Sequence, residues 1–294
     1  MFIDGVFSGG GIKGFALIGA YEAVEEKGLK FKRLAGTSAG SIIASLITAG
    51  YTSTEVKTII DEVDLTKFLD PRRTKLPIPF AKWLLIYWRL GLYKGEALEE
   101  WIASKLAAKG IKTFNDLPEN GLRLIASDLT HGKMLVLPND LIYYGIDPMS
   151  FSVAKAVRMS CSIPYFFEPV KLRPATGKSL IVDGGVLSNF PIWLFDNENR
   201  NRTRPVLGVK LSGNEANLPS NTISNAIGLF SALFETMMKA HDLRYISREH
   251  EKNIVFIPTD SGLSIEFEIT PEKKQALIEL GKERTGQFLA NWCY

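Results

Sequence analysis

Apolar residues open the chain as one short run, Phe2 to Phe7, which Gly9, Gly10, Gly11 and Gly14 break at once. A run of that length bounded by glycines predicts a buried strand. From Ile12 to Lys27 the period changes: Phe15, Leu17, Ile18, Tyr21, Ala23 and Val24 recur at helical spacing, and Gly28 suits the residue after a helix end. The pattern then repeats. Phe31 to Ala35 reads as a second strand, Gly36 to Gly40 as a turn, and the apolar stretch behind it as a helix that stops at Gly50. Strand, glycine turn and helix, twice over, predict right-handed βαβ units: an α/β fold of three layers, α/β/α, with a mostly parallel central sheet.

Downstream, Thr52 and Glu55 stand at capping-box spacing and predict a helix to about Glu62. Further helices are expected over Gly95 to Lys109, Phe151 to Met159, Ile223 to Tyr245 and Pro271 to Leu289. Leu122 to Asp128 and Lys133 to Leu137 read as a hairpin; Leu180 to Val182, Val206 to Leu211 and Ile254 to Ile257 read as strands. Asp196 to Arg204 is a polar loop, no segment repeats, and no composition shift marks a boundary, so one domain over 1–294 is expected.

Composition narrows the function classes. With 46% hydrophobic and 23% charged residues, 294 residues can build an ordinary core, so disorder is excluded. The net charge of +3 is too small for an electrostatic footprint, and no nucleic-acid partner is expected. The two cysteines, Cys161 and Cys293, lie at no metal-ligand spacing, so neither a disulfide framework nor a metal is expected. The start MFIDGVF lacks a basic segment before its apolar stretch, which predicts a cytoplasmic protein and an unmodified Asn201-Arg202-Thr203 sequon.

Three stations carry candidate chemistry. Gly36-Thr37-Ser38-Ala39-Gly40 fits G-x-S-x-G, in which small residues let the chain turn sharply and push a serine hydroxyl outward at a helix N-terminus. Ser8-Gly9-Gly10-Gly11-Ile12-Lys13-Gly14 has two competing readings. Its spacing satisfies the dinucleotide fingerprint G-x-G-x-x-G, yet the second strand runs into Gly36-Thr37-Ser38 without the acid that would hold a ribose. The other reading is an oxyanion loop whose backbone N–H groups converge on one point beside Lys13. The third station supplies a base. His241 and His250 follow the serine in α/β-hydrolase order, but only two strands precede Ser38, and all three histidines, His131 included, have polar neighbours. Asp183, directly after an apolar strand and before Gly184-Gly185, is the alternative, because parallel sheets place ligands at strand ends. Two decoys are set aside. Gly177-Lys178-Ser179 has Leu172 where a P-loop needs glycine, and Cys161 has no nearby histidine.

In this order the three stations resemble the patatin-like phospholipase family, which shares its fold with cytosolic phospholipase A2. Ala126-Ser127-Asp128-Leu129-Thr130 and Ser160-Cys161-Ser162-Ile163-Pro164, with Phe167 to Pro169, resemble two further stretches, so the likeness covers Met1 to about Leu211. Lys13, Ser162 and Tyr165 depart from the family's usual residues. The resemblance implies a lipid acyl hydrolase acting on phospholipids, lysophospholipids or other fatty-acyl esters, with no cofactor. It implies a Ser38–Asp183 dyad, an oxyanion hole over Gly9, Gly10, Gly11, Lys13 and Gly14, an elbow at Gly36 and Gly40, and the Asp-Gly-Gly element at Gly184 and Gly185. The rival from another class is a non-catalytic nucleotide- or lipid-binding protein using the Gly9 to Gly14 loop.

Substrate access raises one more expectation. Leu76 to Lys94 holds Trp83 and Trp88 among Phe80, Tyr87 and Tyr93, flanked by Lys75, Lys82, Arg89 and Lys94. Its apolar run is too short to span a bilayer, which leaves an aromatic core helix or a peripheral membrane contact. The helix Ile223 to His241, with Ile227, Phe230, Phe234, Met237 and Met238 on one stripe, competes as the wall of an acyl pocket.

Overall fold

A computed structural model describes residues 1–71, 86–173, 177–196, 204–213, 223, 226–259 and 269–293. Five strands run parallel in the order β10 (Ile254–Thr259), β9 (Val206–Gly213), β1 (Phe2–Phe7), β2 (Lys30–Thr37) and β4 (Leu122–Asp128). The sheet continues antiparallel through β8 (Ser179–Asp183) to β7 (Val170–Leu172), and β5 (Lys133–Leu137) pairs with β4. Away from this sheet, β3 (Gly91–Tyr93) and β6 (Tyr165–Phe167) form a parallel pair.

Burial follows the sequence pattern. In β1 every residue after Phe2 is buried, as a strand covered on both faces requires. β2 starts half exposed and charged, with Arg33 bonded to the buried Asp4, and becomes fully buried from Leu34 onward, where the chain heads for the site. Helices α1 (Phe15–Glu26), α2 (Ala39–Thr48), α3 (Ser53–Asp61), α4 (Glu96–Ala108) and α5 (Val153–Ser160) share a core cluster that includes Leu17, Leu46, Ile102, Leu124 and Val157. A second cluster gathers Phe190, Ile192, Phe195, Val206 and Ile254 with Val6 and Ala35. Further helices are α6 (Ala226–Tyr245), α7 (Arg248–Glu251) and α8 (Pro271–Asn291).

One register positions the chemistry. Leu124 and Ile125 pair with β5 and with β2, and Ala126 to Asp128 pair with β5 and with β8. A strand has two edges, so β2 and β8 must lie along the same edge of β4. They approach head-on: Thr37 stands opposite Ile125 and Asp183 opposite Ala126. The residue that follows β2 and the residue that ends β8 therefore meet at one point.

The expected elements are found within one to three residues of their bounds, including the Thr52–Glu55 capping box and the β4–β5 hairpin. Two corrections arise. Strand β8 runs antiparallel to β4, so Asp183 reaches the site by this head-on meeting and not as one of several parallel strand ends. The strands β3, β6 and β7 were not expected. The stretch 197–203, with the sequon, lies outside the described residues, as does 72–85 with Trp83.

Candidate active site

Ser38 stands between β2 and α2 with φ 51° and ψ −124°, a left-handed backbone that costs an ordinary residue about 1–3 kcal/mol. Neighbours hold it there. Its N–H donates to Ser160 Oγ at 3.0 Å, and its carbonyl accepts from Ser41 Oγ at 2.6 Å and from Cys161 Sγ at 3.2 Å. Close packing dictates the small residues of the elbow: a Cβ on Gly40 would stand 2.3 Å from Phe7 O, and one on Gly36 would stand 2.5 Å from Gly40 O.

Asp183 is 1% exposed. Its Oδ1 accepts the Gly185 N–H at 2.7 Å, while Oδ2 is buried without a hydrogen-bond partner among the described residues. Burial pushes the carboxyl up to about 7; the Gly185 N–H and the Ser38 hydroxyl, which faces it, pull the other way. A carboxylate poised near neutrality, with one lone oxygen beside a strained serine, has the properties of a general base.

The glycine loop approaches the same point. The Gly9 N–H is taken by Asn189 O at 3.1 Å, so Gly9 drops out of the expected set of oxyanion donors. The N–H groups of Gly10 and Gly11 make no hydrogen bond among the described residues. Gly11 to Gly14, Lys13 among them, form a 3-10 turn that leads into α1, and Gly14 lies against Ala39 at the start of α2. This places the loop over Ser38, and the end of β2 offers a dinucleotide no acid.

A cavity of about 120 Å³ opens at Ser38. Gly11, Gly14, Ala39 and Cys161 line it beside the serine, and Ile18, Ile60, Leu65, Phe68 and Leu98 extend its apolar wall. Among the described residues the walls come mainly from α1, α2, α3 and α4, and the Ile223 to His241 helix, the competing candidate for the acyl-pocket wall, contributes none of them. In α6, Phe234 and Met238 instead pack on Val182 and Val186, with the Met238 sulfur reaching Gly185 of the Asp-Gly-Gly turn. Burial and the charge of Asp183 push the Cys161 thiol up to about 12, so it stays protonated beside the pocket. Ser162 bonds to the buried Arg158, and Tyr165 turns outward onto Phe230; neither lines the cavity.

His131 and His250 are engaged elsewhere. His131 Nδ1 lies 2.7 Å from Asp128 Oδ2, and His250 Nε2 lies 2.7 Å from Asp196 Oδ1; the side chain of His241 is outside the described set. Sequence reasoning missed three residues here. Ser160 fixes the elbow, Asn189 fixes the glycine loop, and Arg158 ties Lys94 O and Glu168 O together at 2.5 and 2.8 Å. Ser160 was within reach, since it opens the Ser-Cys-Ser stretch already noticed.

The profile of the patatin-like phospholipases matches residues 5–196, which span the glycine loop, the elbow and the Asp-Gly-Gly turn. The chain belongs to the patatin-like phospholipase family. Among its patatin-like relatives, YqhO of Bacillus subtilis (strain 168) is 60% identical, with both chains covered in full. A probable lipid hydrolase, 463L of Invertebrate iridescent virus 6, is 29% identical over 64% of this chain and 61% of its own. Among solved structures, VipD from Legionella pneumophila superposes with a TM-score of 0.58 at 20% identity, covering 99% of this chain and 67% of that one. ExoU of Pseudomonas aeruginosa gives 0.53 at 18% identity, covering 98% and 52%. These likenesses fix the patatin-like α/β fold, and the family is one of lipid ester hydrolases.

Proposed function

We propose that the chain hydrolyses carboxylic esters of phospholipids or lysophospholipids through a Ser38–Asp183 dyad. The observation that carries this reading is the buried Asp183 carboxyl, its Oδ2 without a hydrogen-bond partner among the described residues, set near the Ser38 hydroxyl where β2 and β8 meet. Ser38 Oγ attacks the ester carbonyl carbon while its proton passes to Asp183 Oδ2. The N–H groups of Gly10 and Gly11 receive the developing oxyanion, where one donor is typically worth about 2.7–4 kcal/mol. Collapse releases the alcohol, which takes the proton from Asp183, and leaves an acyl ester on Ser38. Water then attacks that ester, Asp183 again takes the proton, and the C–Oγ bond breaks as the proton returns to Ser38. The acyl tail lies along the apolar cavity, whose far wall is set by Ile60, Leu65, Phe68 and Leu98.

A fluorophosphonate probe tests the nucleophile. Ser38 is expected to take the label, and Ser38→Ala to lose both label and turnover of a fatty-acyl ester, whereas His250→Ala keeps both. A histidine variant that silences the enzyme replaces the dyad with a triad, and a wild-type protein that resists the label returns the glycine loop to a binding role.

Membrane access belongs to the same reading. Among the described residues no helix is long and apolar enough to cross a bilayer. Tyr87 and Trp88, 74% and 72% exposed, stand edge to face at 5.3 Å beside the exposed Arg89. Such residues favour the headgroup level of a lipid surface. Tyr87→Ala/Trp88→Ala is expected to stop flotation with anionic vesicles while activity on a soluble short-chain ester persists; unchanged flotation removes this segment as the contact.

A further inference from the structure

One polar side chain at the site has no work in the scheme above. Asn189 is 6% exposed, its Oδ1 is buried without a partner, and its carboxamide makes no hydrogen bond among the described residues. An unsatisfied buried amide oxygen costs about 1–3 kcal/mol, so one kept beside the nucleophile and the base calls for a reason.

Its surroundings say where it points. A Cβ built on Gly9 would stand 2.4 Å from Asn189 Oδ1, 3.1 Å from Ser38 Cβ and 3.3 Å from Thr37 O. A Cβ built on Gly185 would stand 3.1 Å from Asp183 Oδ1 and 3.5 Å from Asn189 Oδ1. The amide oxygen thus lies between two glycines, one against the nucleophile and the other against the base, and a side chain on Gly9 would displace it. The backbone around it is fixed: Asn189 O accepts the Gly9 N–H at 3.1 Å, Ser188 O accepts the Thr37 hydroxyl at 3.0 Å, and Phe190 is buried in the second core cluster. The carboxamide is held in place with its unpartnered acceptor buried beside the nucleophile and the base.

We infer that Asn189 is a third catalytic residue, which orients the water that releases the acyl group from Ser38. The inference rests on the dyad reading. Acylation needs one acceptor, since Ser38 has a single proton and Asp183 Oδ2 takes it. Deacylation has a further need, because water brings two protons. Asp183 offers it the unpartnered Oδ2, since Oδ1 already accepts the Gly185 N–H. A water bonded to Oδ2 alone can rotate about that bond. With its second proton donated to Asn189 Oδ1, its oxygen is turned toward the acyl carbon. The water oxygen forms the new C–O bond, one proton passes to Asp183, the other stays on the carboxylic acid product, and the Ser38 ester bond breaks as Asp183 hands its proton to Ser38 Oγ. Asn189 exchanges no proton; it supplies orientation, and misplacing a reacting group typically costs about 10²-fold in rate.

The test separates the two half-reactions on a chromogenic activated ester. Asn189→Leu, near in shape but with no acceptor, is expected to keep the rate of fluorophosphonate labelling at Ser38 and the initial burst. Its steady-state turnover should fall about 10²-fold, with the acyl-enzyme accumulating in intact-mass spectra. Asn189→Asp keeps an acceptor at the same place, so it should restore release. It should also move the half-maximal pH of release upward, because a second carboxylate opposes ionisation of Asp183. If Asn189→Leu fails to fold, the pH shift in Asn189→Asp carries the test. Equal loss of labelling and turnover in Asn189→Leu, or an Asn189→Asp variant with an unmoved pH profile, overturns the inference. Failure of the dyad itself is recognised separately, by a wild-type Ser38 that takes no label.

Discussion

Two buried carboxylates stand on neighbouring strands of this sheet, and only one of them is fitted for chemistry. Asp128 ends β4 and Asp183 ends β8; Asp128 pairs across with Ile181 and Ala126 with Asp183, so both side chains project from the same face. Asp128 is fully buried and Asp183 nearly so. Their hydrogen bonds differ. Asp128 takes the Tyr144 hydroxyl at 2.6 Å, the Thr130 and His131 N–H groups at 2.8 and 3.2 Å, and lies 2.7 Å from His131 Nδ1. Burial pushes its pKa up, but the Tyr144, His131 and Thr130 hydrogen bonds together outweigh that and hold it below the ordinary carboxylate range. Asp183 has one N–H and a serine, and sits near 7. Asp183 lies deeper in the protein and has fewer donors, which holds its carboxyl near neutrality, while Asp128, ringed by donors, stays a fixed anion; depth and the supply of donors together set the two apart.

The contrast breaks first at Asp183. Asp183→Asn is expected to lower kcat/KM at least about 10³-fold while the far-UV spectrum stays native. In the wild-type protein kcat/KM should rise about tenfold per pH unit below neutrality and level off above a midpoint near 7, because the ionised base is required. A flat profile from pH 5 to 8 would make Asp183 as inert as its neighbour.

Stability should move the other way. A folded pKa raised from 3.8 to about 7 means that the native state holds a proton which the unfolded chain gives up between those values. Stability from this group is thus fully present below about pH 4 and is lost as pH rises through 7. Asp183→Asn removes the penalty, so thermal unfolding should show a gain of up to about 4 kcal/mol at pH 8 and almost none at pH 4. Asp128→Ala should do the reverse, losing about 3 kcal/mol in denaturant unfolding because a buried hydroxyl and two N–H groups are orphaned. Its kcat per folded molecule should stay within about threefold of wild type. Smallest is Tyr144→Phe, with a loss of about 1 kcal/mol and an Asp128 carboxyl that titrates higher by NMR.

Much of this arrangement was legible before the fold was known. Long runs with a clear period, such as the stripe from Phe15 to Val24, gave their elements directly, and glycine spacing located the elbow and the loop. Asp183 was found through its local setting, an apolar strand leading into Asp-Gly-Gly, although the reason offered for its position was wrong: strand direction is set by a partner distant in sequence. β3, β6 and β7 span three residues each, too few for an alternation to register, and exist through their pairing. The stripe of Phe230, Phe234, Met237 and Met238 told correctly that α6 buries one face but not what that face covers. Whether Gly9 or Gly10 keeps a spare N–H hangs on the single bond to Asn189 O, which no local pattern encodes.

The head-on meeting of β2 and β8 also bears on when the protein becomes reactive. A ribosome delivers Ser38 early, and β4 and β5 follow, but the edge of β4 beyond Ile125 stays bare until β8 has been made. Closing that gap costs chain entropy, and long-range pairing of this kind is typically late in folding. Until it closes, the elbow has neither its base nor the Gly9 to Asn189 bond, because Asn189 lies beyond β8. On the dyad reading, the nascent chain therefore carries a serine without its base, and activity is expected to begin only with the strand that completes the sheet.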